Sequence, residues 1–243
     1  MPDKIELEKV CFKQGKAPLL REISFSVKRG DILVISGRSG EGKSTLLEIC
    51  VGLKRPSSGR VLWDGQDISS FSRRVLLEKR QSTGYVFQIH ALISNHSVFE
   101  NIALPLRVRS GITDKEIEKR VRKIMDEFCL ENIDALFPEL LSAGQLKSVA
   151  VARALISEPD MLLLDEPLSG LDPFTARKIM NVIYEHQNRR KMSVIMVSHE
   201  TDIWEGFLTV KKVLDKGWLV DSSEQEGVSG RRVHKERAGV EIK

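Results

Sequence analysis

The stretch DILVISGRSGEGKSTLLEICV, residues 31–51, decides the fold. It opens on an apolar strand-like run, DILVIS, and closes on KSTLLEICV, a helical pattern. Between them GRSGEGKST, Gly37 to Thr45, matches G-x-x-x-x-G-K-[ST] in the strand–loop–helix setting where that pattern cradles phosphate. The glycines let backbone N–H groups curl around phosphate oxygens without Cβ clashes. Lys43 is placed to reach the outer phosphates, and the Ser44 hydroxyl to ligate Mg²⁺. An incidental lysine in a glycine-rich turn would lack this context.

A second apolar run, MLLLDEP at 161–167, ends in two acids. Asp165 at the end of a buried strand suits an indirect or water-mediated hold on Mg²⁺, and Glu166 would then face the last phosphate and polarise a water. Alone, an Asp–Glu pair after a strand is a loop start; beside a phosphate loop it reads as functional. Just before it, LSAGQLKSVAVARAL at 141–155 begins a helix with small residues, Ser142, Ala143 and Gly144. Free N–H groups and the positive dipole end there favour an anion. One chain thus presents two phosphate-facing helix starts. Gln88 ends GYVFQ and His199 ends SVIMVSH; taken singly, each is an ordinary strand-end residue.

The chain's 243 residues allow one domain or two and a substantial core. Hydrophobic residues make 41% and charged residues 30%, the balance of a globular protein. The net charge of +4 falls mostly on RRVHKERAGVEIK at 231–243, with five Lys/Arg against two Glu. The body is near neutral, so nucleic acid is not expected as a partner. Three distant cysteines without Cys-x-x-Cys spacing argue against zinc or a disulfide framework. The start lacks the apolar run of a signal peptide, and no stretch approaches the roughly 20 apolar residues of a membrane span.

Strands are expected at Ile5–Phe12, Ile23–Val27, Ile32–Ile35, Val61–Trp63, Gly84–Gln88, Met161–Leu164 and Ser193–Val197. Thr113 and Glu116 form a capping-box pattern before Ile117, Val121, Ile124, Met125 and Phe128, which repeat at helical spacing. Asp172 and Pro173 mark another helix start. Strand–helix alternation around a helical insert implies a parallel α/β core. Residues after Ser222 are polar and weakly patterned and read as a mobile tail.

In order, GRSGEGKS, Gln88, LSAGQ, MLLLDEP, SGLD at 169–172 and His199 resemble the nucleotide-binding subunit of ABC transporters, over about residues 4–220. They look like its Walker A, Q-loop, signature, Walker B, D-loop and switch histidine. The resemblance implies a P-loop NTPase (RecA-like) fold, a parallel-sheet core with an antiparallel β subdomain and an inserted helical subdomain. It divides the chain into an ATP-binding core at 1–88 and 159–221, a helical signature subdomain at 89–158 and a basic flexible tail at 222–243.

It also implies ATP hydrolysis with Mg²⁺. Gly37, Arg38, Ser39, Gly40, Glu41, Gly42, Lys43, Ser44 and Thr45 would bind ATP, with Ser44, Gln88 and Asp165 around the metal. Glu166, His199 and Gln88 would serve catalysis. Two copies would pack head to tail, so that Ser142, Ala143, Gly144 and Gln145 of one face the phosphate held by the other, with Asp172 in the D-loop between them. The helical subdomain and Ile89–Phe99 would receive helices of transmembrane permease subunits, placing the chain on the cytoplasmic face of the inner membrane.

Three positions depart from the family pattern. Ala143 replaces a glycine; its methyl costs little at negative φ and about 1–2 kcal/mol in a left-handed conformation. Ser148 stands where the family often has arginine. Gln14 falls where an aromatic ring usually meets adenine, with Phe12 two residues away. The segment HALISNHSVFENIALPLR at 90–107 looks most like subunits serving phospholipid transport with periplasmic or MCE-type lipid-binding proteins, and next like lipoprotein-release subunits. His90 and His96 lack a third metal ligand. A soluble ABC ATPase of cluster assembly or cell division is the rival reading.

Overall fold

In the computed structural model the phosphate-loop strand lies at the centre of a six-stranded sheet. The structure describes residues 3–109, 111–199, 207 and 210–221; the tail expected at 222–243 lies outside them. In chain order the strands are β1 (Ile5–Gln14), β2 (Ala17–Val27), β3 (Ile32–Gly37), β4 (Ser58–Trp63), β5 (Gln66–Asp67), β6 (Thr83–Val86), β7 (Met161–Asp165), β8 (Ser193–Val197), β9 (Val210–Asp215) and β10 (Trp218–Asp221). The helices are α1 (Lys43–Cys50), α2 (Arg73–Gln81), α3 (Val98–Arg107), α4 (Asp114–Phe128), α5 (Ala143–Leu155) and α6 (Pro173–Arg190). The large sheet runs β10-β9-β3-β8-β7-β6, parallel throughout except for β10, and an antiparallel sheet β2-β1-β4-β5 packs beside it.

Why β3, β7 and β8 read as unbroken apolar runs is visible in the packing. Ile32, Val34, Leu162, Leu164, Val194 and Met196 face one core with α3, α4, α5 and α6. The intervening Leu33, Ile35, Met161, Leu163, Ile195 and Val197 face another core with α1 and the antiparallel sheet. Both faces are covered, so period-2 alternation in polarity vanishes, as in a parallel sheet. The fold is the expected P-loop α/β architecture.

Several local expectations change. β6 stops at Val86, leaving Phe87 and Gln88 exposed outside it. β2 begins at Ala17 because residues 17–20 pair with β1, although half of them are exposed. At Thr113–Glu116 one half of the capping box forms: Thr113 accepts the Glu116 N–H, but the Glu116 carboxylate takes Arg120 at 2.7 Å. Full boxes close at Ser97/Glu100 and Ser142/Gln145.

Candidate functional site

The loop between β3 and α1 turns through Gly40 and Gly42, at φ of 83° and 98°. A side chain is strained in that left-handed region, and a Cβ on Gly42 would also meet Leu19 at 3.0 Å. The loop brings Lys43 back over itself, where Nζ donates to the carbonyls of Gly37 (2.8 Å) and Arg38 (3.1 Å) and pairs with Glu166 Oε1 at 3.6 Å. Lys43 and Glu166 are both buried.

β7 delivers the two acids with different settings. Asp165 is the last strand residue, paired beside Val197 on β8. Ser44, in the first turn of α1, lies close enough to favour its ionised form. Asp165 Oδ1 is buried with no hydrogen-bond partner among the described residues. A carboxylate oxygen without a hydrogen bond beside a serine hydroxyl is the hard-oxygen donor set that Mg²⁺ takes, so the residues fit that ion. Glu166 follows at φ 48°, a left-handed glutamate of the kind that costs about 1–3 kcal/mol and clusters at functional sites. Its Oε2 lies 2.8 Å from His199 Nδ1 and accepts the His199 N–H at 3.2 Å.

Burial pushes the Asp165 carboxyl above the usual carboxylate range; Ser44 and Lys43 oppose this and Glu166 adds to it. The folded chain then holds a proton that the unfolded chain has released. Stability therefore falls as pH rises from about 4 through the raised value. Asp165→Asn should relieve this cost at pH 7. We expect a higher melting temperature without nucleotide, together with loss of Mg²⁺-dependent stabilisation by ATP. An unchanged Mg²⁺ response in thermal melts would remove Asp165 from the metal site.

Gln14, Leu19, Ser39, Gly40, Gly42, Lys43, Ser44, Thr45, Gln88, Glu166 and His199 line one cleft of about 450 Å³. A larger open groove of about 860 Å³ lies on the antiparallel sheet, away from every predicted site residue. Leu19 is an addition that sequence reading missed, because it lies on the partly exposed start of β2. Phe12 packs partly buried against the second core, with Lys54 5.9 Å from its ring centre.

The signature residues are not brought into that cleft. Ser142 caps α5: its Oγ accepts the Gln145 N–H at 3.3 Å and Gln145 Oε1 accepts the Ser142 N–H at 2.9 Å. The cap uses a lone pair and leaves the Ser142 O–H to donate elsewhere. Ala143 is the first helical residue and not among the left-handed positions, so its methyl costs little. Asp172 caps α6 by accepting the N–H groups of Phe174 and Thr175, each at 3.0 Å; hydrogen bonding, to Thr175 first, holds its carboxyl below the usual range.

A family model described as ABC transporter matches residues 20–169, more than half of the chain. Methionine import ATP-binding protein MetN 1 of Rhodococcus jostii is 37% identical over 222 residues, covering 90% of this chain and 65% of the relative. MetN of Rhizobium meliloti is 38% identical over 202 residues, covering 83% and 56%. The chain thus spans 56–65% of the length of these two curated relatives. Among solved structures, cbiO1 from Clostridium perfringens, part of the ABC transporter complex cbiONQ, matches with TM-score 0.81 and 30% identity, over 99% of this chain and 96% of its own. The ATP-binding cassette MJ0796, as a dimer in a post-hydrolysis state bound to ADP and Pi, matches with TM-score 0.81 and 30% identity, over 88% and 96%.

The lipid expectation is not supported, since the relatives named here are methionine-import proteins. The segment that suggested phospholipid or lipoprotein cargo is explained by its own folding. Ser97 and Glu100 box the start of α3, and Asn101, fully buried, bonds Ile93 N and the carbonyls of Ile93, His96 and Ser97. Val98, Ile102, Ala103 and Leu106 fill the core. These residues report local packing, not cargo.

Proposed function

This chain belongs to the ABC transporter family, and from that premise we propose that it is the ATP-hydrolysing subunit of a membrane importer, with methionine the first cargo to test. One observation carries the reading. Lys43, Ser44, Gln88, Glu166 and His199 line a single cleft against Asp165, while Ser142–Gln145 stands outside it. Half of a phosphate site is complete in the chain, and the other half needs a second copy.

In this reading Lys43 leaves the carbonyls of Gly37 and Arg38 and the Glu166 carboxylate for the outer phosphate oxygens of ATP. The loop N–H groups hold the remaining oxygens. Ser44 and Asp165 would hold Mg²⁺, with Gln88 lining the same cleft, and the ion would supply neutralisation of phosphate charge. Glu166 takes a proton from the attacking water, and His199 fixes the orientation of that carboxylate through Nδ1 and its N–H. From the partner, the Ser142 hydroxyl and the N–H groups of Ala143 and Gly144 reach the last phosphate, because Gln145 N–H is already capped.

We also read residues 1–88 and 159–221 as the ATP-binding core and 89–158 as the lobe that meets permease subunits at the cytoplasmic face. Exposed Ile89 and Val108 of that lobe offer apolar contacts there. No helix of the described residues is long and apolar enough to cross a membrane, and in this reading separate permease subunits cross it. Isolation of the native complex tests this: a polytopic membrane subunit and ATP-dependent methionine uptake are expected, and a soluble scaffold in their place would overturn the transport reading.

Gln14, not a ring, faces the cleft at the end of β1. Base stacking on an aromatic contributes on the order of 1–3 kcal/mol. Affinities for ATP and GTP should therefore differ by less than about tenfold, or about 1.4 kcal/mol. Competition binding measures this, and a hundredfold preference for ATP would show that a ring reaches the base.

A further inference from the structure

Lys147 is a charged residue on a helix stretch that is otherwise core. Val149, Ala150, Val151 and Ala152 after it are buried, and Lys147 itself is 7% exposed. An ammonium leaves water only where acceptors replace its hydration. Here the acceptors flank one turn: Nζ donates to the Glu166 carbonyl at 3.3 Å, to the Ser169 hydroxyl at 3.0 Å and to the Ser169 carbonyl. That turn also closes on itself, with Ser169 N–H and Oγ both directed at the Glu166 carbonyl, at 3.4 and 3.2 Å. The left-handed backbone of Glu166 is therefore held from α5 as well as from its own loop. A second contact ties α5 to the segment that follows this turn. A Cβ on Gly144 would lie 3.2 Å from Thr175 Cγ2 and 3.9 Å from Leu171, so the first turn of α5 rests directly on the start of α6.

We propose that Lys147 is a positioning residue that ties the backbone of Glu166 to the first turns of α5. The carboxylate is aimed into the cleft while α5 holds that turn in place. Ser142 and Lys147 lie about one and a half helical turns apart on one rigid element. Contact of a partner's phosphate with the start of α5 is thereby felt at Glu166 of the same chain. The inference rests on the reading of Glu166 as the residue that activates water.

The test compares three full chains in steady-state ATP hydrolysis, well below their melting temperatures. Lys147→Met keeps the apolar stem and removes the ammonium; Lys147→Gln keeps N–H donors on a shorter stem. Lys147→Met is expected to lower kcat roughly 10- to 100-fold, the scale of a misplaced catalytic group, with KM for ATP within about twofold. Lys147→Gln is expected within about threefold of the wild type. A lysine that only stabilises the fold would move the melting temperature and leave kcat per folded site intact. Wild-type kcat in Lys147→Met, equal kcat losses in both variants, or a rise in KM matching the fall in kcat would each overturn the inference alone. A wild-type chain that turns over no ATP overturns the reading of Glu166 and this inference together.

Discussion

Glu166→Gln should cut ATP turnover by about 100-fold or more, the range of removing a general base, and should trap a closed dimer holding two nucleotides. The amide keeps the size of the side chain and an acceptor for the His199 N–H, which now reaches Oε2 at 3.2 Å. It loses the charge that pairs with Lys43 at 3.6 Å. Lys43 is then released from a carboxylate competitor, and the outer phosphate meets no anion at this position. Binding is retained while proton removal from water fails. Light scattering with and without Mg·ATP reads the association, and phosphate release reads the chemistry. Turnover near the wild-type rate would remove Glu166 from the mechanism.

Ser142→Arg should leave nucleotide binding to the chain's own phosphate loop unchanged and abolish closure. Ser142 lies outside the cleft that Lys43 lines, so affinity at that cleft has no reason to move. The arginine would crowd the partner's last phosphate. It also removes the α5 cap, a loss of about 0.5–2 kcal/mol. Ser142→Ala isolates the effect of bulk, since it loses the cap and the phosphate-facing hydroxyl without adding bulk. The expected order of closed dimer is Glu166→Gln above the same variant with Ser142→Ala, and none when Ser142→Arg is added. Normal closure of the arginine variant would show that the start of α5 does not act across the interface.

What was legible in the sequence is what is local. The phosphate loop carries its strand, glycines and helix within twenty-one consecutive residues, 31–51, and its reading needs no distant contact. β7 and β8 were legible as apolar runs because both of their faces are covered. β9 and β10 were not, since VKKVLD and WLVD are short and partly exposed, with β10 at the sheet edge. α2 escaped for the opposite reason: none of its residues is buried, so no apolar stripe marks it.

The supports of the site were equally hidden. Lys147 meets a carbonyl 19 residues away and Arg153 meets carbonyls of Ala91 and His90 across 62 and 63 residues. Neither partner is a side chain that sequence could advertise. The signal available was a cation at a core position of α5, which reads as an anomaly but not as an address. The half-formed box at Thr113 shows the reverse failure, where a correct local pattern loses its second half to the neighbouring Arg120.

The clamp made by Asn101 has a consequence for building hybrid transporters. Because that side chain and the Ser97–Glu100 box dictate the path from Ile93 into α3, the stretch can be kept intact when the chain is refitted to a foreign permease. Under the proposed docking of this stretch to a permease, the freedom to retarget lies in its exposed residues, among them Ile89 at 85% exposure with Ala91, Ser94 and Asn95. Exchanging those few surface positions on an unchanged frame is the economical graft, whereas transplanting the whole segment would import another protein's packing along with its partner.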